Sequence, residues 1–96
     1  MKIPKIVKIG AHTYTVKYEK GFLANHKAYA QSRHAKTEII LDPEVSQSQI
    51  EDSFIHEIFH AIDAQVNFTE KDKDEETIAR IAPMLLMVFK DNKLLK

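Results

Sequence analysis

Apolar residues change their rhythm partway along this chain. Up to about residue 42 they alternate, as a half-buried strand requires. Lys5 to Ile9 and His12 to Tyr18 alternate on either side of a tight Gly10-Ala11 connection, which predicts a hairpin, with Tyr14, Val16 and Tyr18 on one face. A second strand pair is expected at roughly Ala28 to Arg33 and Thr37 to Leu41, around a polar centre from Ser32 to Lys36. Gly21 to Lys27 reads as a loop or a short helical turn, and Asp42-Pro43 ends the sheet region.

From Ser46 onward the spacing becomes helical. Ile50, Phe54, Ile58, Ala61, Ile62 and Val66 recur every three or four residues in a stretch free of Pro and Gly. Ser46, with Gln49 three residues on, has the form of a capping box that starts this helix. A charged stretch, Thr69 to Asp74, is expected to be a solvated loop. A last helix over 74–92 carries Ile78, Ile81, Ala82, Leu85, Leu86, Val88 and Phe89 on its apolar face, and Pro83 is expected to kink or break it. Strands first and helices after predict an α+β domain spanning 1–96. The expected parts are a small antiparallel sheet of three to four strands (1–42), a central helix (46–66) and a packed C-terminal helix (74–92).

Composition narrows the function classes. Fourteen basic and fourteen acidic side chains cancel, so no net field favours nucleic acid or an anionic membrane. The absence of cysteine removes disulfides, thiolate metal sites and cysteine nucleophiles together. No apolar run approaches a membrane span, and Met1-Lys2-Ile3-Pro4-Lys5 lacks the apolar stretch of a signal peptide, so the expected address is the cytoplasm. Met84, Met87, Leu94 and Leu95 hint at self-association into a homo-oligomer.

The chemistry lies in His56-Glu57-Ile58-Phe59-His60. Histidines four apart on a helix sit nearly above one another and can grip one metal ion, while the intervening glutamate falls on the flank. This is the H-E-x-x-H pattern, in which the histidines ligate zinc and the glutamate is the general base toward a metal-bound water. A catalytic zinc takes a third protein ligand. Val66 and Asp63 stand where an H-E-x-x-H-x-x-G-x-x-H protein has its third histidine and its glycine, so that subclass is excluded. A carboxylate of the last helix remains. With Ile78 as the inward direction, Asp74 lies about 40° away, Glu75 about 60° and Glu76 about 160°, which favours Glu75, with Glu76 and Asp74 as alternatives. The competing reading makes Asp72 and Glu75 a capping box. Asp63, one turn beyond His60, is a candidate partner for a ligating imidazole. Tyr29, His26 and His34 are candidate donors to an oxyanion. Either strand of the second pair offers an edge for an extended substrate.

The run Ser53-Phe54-Ile55-His56-Glu57-Ile58-Phe59-His60-Ala61-Ile62-Asp63, with Glu75-Glu76-Thr77-Ile78-Ala79-Arg80-Ile81-Ala82 and Phe89 to Asn92 later, resembles compact H-E-x-x-H proteins of phage and prophage genomes. These are related to ImmA/IrrE-type peptidases and minimal gluzincins. The resemblance implies a minimal zincin-like fold, with His56, His60 and Glu75 or Glu76 on zinc and Glu57 as base. It implies a zinc metallopeptidase acting on a polypeptide substrate. The alternative is a zinc-stabilised, non-catalytic protein-binding module of phage or prophage origin. A metal-free interaction protein is a third possibility.

Overall fold

The computed structural model describes residues 2–66 and 75–93, with 66 and 75–82 described through their backbone only. The chain runs β1 (Ile6–Ile9), β2 (His12–Tyr18), α1 (Phe22–His26), β3 (Ala30–Arg33), a 3₁₀ turn (His34–Lys36), β4 (Glu38–Leu41), α2 (Gln47–Val66) and α3 (Glu75–Asp91). The domain is α+β, with a four-stranded sheet followed by two long helices. The charged stretch Thr69–Asp74, Asp74 as a ligand candidate, and Leu94 and Leu95 lie outside the described residues. So do the side chains of Glu75, Glu76, Ile78, Ile81 and Ala82.

The sheet is mixed rather than antiparallel throughout, with strand order β1-β2-β4-β3. Both expected hairpins form: Ile6 faces Thr15 in one, and Ser32 faces Ile39 in the other. They join through a parallel pair, Thr15 with Glu38 and Tyr18 with Leu41. The reason is the route of the chain. Residues 22–26 form α1 after β2, β3 returns along the outer edge, and β4 then slots between β2 and β3. Parallel neighbours need such an indirect connection, whereas a tight turn yields only antiparallel ones. Lys17 bonds Glu38 across the parallel pair, Nζ to Oε2 at 2.5 Å.

One face of the sheet supplies Val7, Ile9, Tyr14, Val16, Ile39 and Leu41 to the core. Against it lies the apolar stripe of α2, namely Ile50, Phe54, Ile58, Ala61 and Ile62, and Val88 of α3 closes the cluster. Each large aliphatic or aromatic side chain taken fully from water contributes about 1.5–3 kcal/mol, so this stripe fixes the rotation of α2. Tyr18 continues the face of Tyr14 and Val16 but is exposed. α3 runs unbroken through Pro83, because proline removes one hydrogen bond from a ladder that continues on both sides. Met84, Leu85 and Phe89 pack on the core, whereas Leu86 and Met87 of the same helix are exposed.

Two side-chain amides tie the helices to the first hairpin. Gln65 Nε2 donates to the Ile9 carbonyl at 2.6 Å, and the Ala11 N–H donates to Gln65 Oε1 at 3.1 Å. Asn92, just past α3, does the same for the outer edge of β1. It accepts from Lys8 N–H at 2.9 Å and donates to the Lys8 carbonyl at 3.0 Å. Gly10 turns the hairpin at φ 59°, and a Cβ there would collide with Gln65 Oε1.

Gly10→Ala is therefore expected to cost about 2 kcal/mol, combining the left-handed penalty with loss of the Gln65 clamp. Because both substitutions break the same clamp, adding Gln65→Ala to Gly10→Ala should cost far less than Gln65→Ala alone. Urea unfolding of the four proteins measures this, and fully additive losses would show that the two residues share nothing. The Lys17 ammonium holds the Glu38 carboxyl below its ordinary value. A depressed folded-state value adds stability above the unfolded carboxyl's range, and that stability is lost as pH falls through the folded one. Lys17→Met should accordingly flatten the decline of stability with pH below about 4.5, as followed by thermal melts across an acid series.

Candidate metal centre

Two corners of the chain set the start of α2. Asp42 is 3% exposed, and its carboxylate accepts the Leu23 N–H at 2.9 Å and the Glu44 N–H at 2.8 Å. A buried carboxylate satisfied by backbone donors joins the end of β4 to α1. Ser46 Oγ then accepts the Gln49 N–H at 3.2 Å, as a helix cap does. The reciprocal half of the expected capping box is absent. The Gln49 side chain instead donates to Ser53 Oγ one turn along, at 3.0 Å.

Ile58, at the centre of the motif, is completely buried against the sheet. Helical rotation places His56 and His60 about 160° to either side of it, on the solvent side, and Glu57 about 100° away. The structure agrees: both histidines are exposed, whereas Glu57 is 6% exposed. The rings of His56 and His60 meet edge to face with centroids 4.5 Å apart. Their Nε2 atoms converge to 2.9 Å. Two nitrogens on a tetrahedral zinc stand about 3.3 Å apart, so the rings need part by only a few tenths of an ångström to share an ion. One ligand atom from each of His56, Glu57 and His60 falls within a 4.8 Å cluster, a group that could hold a metal ion.

Glu57 is held from the sheet. Ser32 of β3 donates from Oγ to Glu57 Oε1 at 2.6 Å. Nothing in the motif points to Ser32. The available signal is its alternation with Ala30 on the inward face of β3, where a hydroxyl among small and apolar side chains needs a partner. Two open cavities flank this contact. One, of about 440 Å³, lies between Tyr29 and Ala30 on one side and Gln49, Asp52, His56 and Glu57 on the other. The second, of about 360 Å³, has Gln31, Ser32 and His34 opposite His56, Glu57 and His60.

The remaining candidates separate. Tyr29 and His34 each line one of these cavities, and His34 Nδ1 is 3.0 Å from the Tyr14 hydroxyl. Burial pushes the Tyr14 phenol above its ordinary value. His26 belongs elsewhere: it contacts Glu19 at 3.2 Å and stacks on Phe22 in α1. Asp63 Oδ1 is buried without a hydrogen-bond partner among the described residues. Glu75 begins α3, and its side chain, like that of Glu76, lies outside the described residues. The chain matches no family model, no curated protein and no solved structure.

Proposed function

We propose that this chain is a metal-dependent peptidase whose ion, zinc by the choice of nitrogen donors, sits on His56 and His60 with Glu57 as general base. The observation that carries the reading is the convergence of the two exposed Nε2 atoms to 2.9 Å beside a nearly buried carboxylate. In this reading Glu75, or Glu76, supplies the third ligand from α3. Asp63 also fits. Its Oδ1, buried and without a hydrogen-bond partner among the described residues, belongs to the residue one helical turn from His60, whose Nδ1–H needs an acceptor once Nε2 binds an ion.

A bound zinc supplies Lewis acidity toward a carbonyl and brings the pKa of a water to about 7. The protein supplies the rest. The Glu57 carboxylate takes a proton as water adds to the peptide carbonyl and returns it to the leaving amine. In this reading Tyr29 and His34, which each line one of the two cavities, are the side chains that would donate to an oxyanion. The free edge of β3 runs beside both cavities and suits an extended polypeptide, which would add as a further strand. Among the described residues no helix is long and apolar enough to cross a membrane.

Elemental analysis is expected to find one metal per chain, lost in His56→Ala. Cleavage of an unstructured protein substrate should stop with a chelator. In Glu57→Gln it should fall by about 10²–10⁴-fold at unchanged metal content. Bound metal that raises the melting temperature without any cleavage would favour the zinc-stabilised binding module instead, since metal binding then serves folding. A chain that takes up no metal at all would sink both readings.

A further inference from the structure

We propose that Ser32 is a positioning residue that holds the Glu57 carboxylate off the metal and so keeps it a base, an inference that rests on the peptidase reading above. Glu57 has two possible fates. Its carboxylate shares the 4.8 Å cluster of the two histidine nitrogens, and carboxylate oxygen is itself a good zinc ligand. A ligating carboxylate has spent its lone pair on the ion and takes no proton from water. Something must therefore hold the group in the first role.

The Ser32 hydroxyl is placed to do so. It lies 2.6 Å from Glu57 Oε1 and 3.3 Å from the Glu57 backbone carbonyl. A hydroxyl carries a single proton, and the shorter contact falls in the range of an O–H donating to a charged carboxylate. Among the described residues it is the carboxylate's only hydrogen-bond partner. The donor comes from the sheet and the histidines from the helix, so the bond pulls Oε1 toward β3. Its strand position is fixed by the pairing of Ser32 with Ile39, itself completely buried. Serine suits the position because it is small enough for β3 to approach α2 and still brings a donor. Alanine would keep the packing and lose the bond, whereas threonine would keep both the donor and the strand preference.

Cobalt(II) added to the full-length chain reads the ligand set without any turnover. Ser32→Ala is expected to bind cobalt as tightly as the unsubstituted chain or more tightly, with an altered visible spectrum as the carboxylate joins the ion. Ser32→Thr should keep the original spectrum. Adding Glu57→Gln to Ser32→Ala should abolish the alteration. In cleavage assays Ser32→Ala should lower kcat about 10- to 100-fold at constant KM, with recovery in Ser32→Thr. An unaltered spectrum with unaltered kcat would overturn the proposal. So would weaker cobalt binding accompanied by a lower melting temperature, which marks a brace and nothing more. If the unsubstituted chain binds cobalt but cleaves nothing, the peptidase reading fails, and the spectra alone decide whether Ser32 restrains Glu57. A chain that binds no cobalt overturns both.

Discussion

The burial of one stripe of α2 against one face of the sheet governs the rest of this molecule. Phe54, Ile58, Ala61 and Ile62 are all fully buried, and together they leave the helix a single rotation about its axis. That rotation alone decides where the residues between them go. With Ile58 turned inward, His56 and His60 must face water, and Glu57 must lie at the boundary between core and solvent. A slip of one position would bury a histidine and expose an isoleucine, exchanging a favourable transfer for an unfavourable one. The same hydrophobic contact that holds the domain together is therefore what points the nitrogens outward together.

Around that contact the chain spends its uncharged polar side chains on joining elements. Gln65 fastens the end of α2 to the first turn, Asn92 fastens the end of α3 to β1, and Ser32 fastens the middle of α2 to β3. Each of these bonds reaches a backbone group or a carboxylate of another element, so its loss loosens the joint between the two. A chain of 96 residues without cysteine has a modest core, and such ties supply direction where hydrophobic contact supplies only adhesion.

Legibility in the sequence followed the range of the physics involved. The central helix was plain because its periodicity and Ser46 cap are local, and the two hairpins were plain because their turns are local. The order of strands was not, since the placing of β4 between β2 and β3 depends on a connection that alternation does not encode. Pro83 does not break α3, because one missing hydrogen bond weighs little against the packing of Met84, Leu85, Val88 and Phe89 on the core. In the candidate site, the clustering of His56, Glu57 and His60 could be read from spacing alone, whereas the contact with Ser32 could not. Its significance comes entirely from a residue 25 positions away. The proposed third ligand stays open among Glu75, Glu76 and Asp74, because helical rotation separates them only by angle and their side chains lie outside the described residues.

The location of Ser32 on β3 has a consequence for how the protein responds to warming. Among the described residues β3 is an edge strand bonded to a neighbour on one side only, whereas β4 is enclosed on both. Edge strands open at lower free energy than the elements they border, so local excursions of β3 precede global unfolding. Each such excursion releases the Glu57 carboxylate while Ile58 and Phe54 still anchor the helix to the remaining strands. The restraint on Glu57 is thus tied to a strand that the sheet holds from one side, a less protected place in the fold than the helix that carries the histidines.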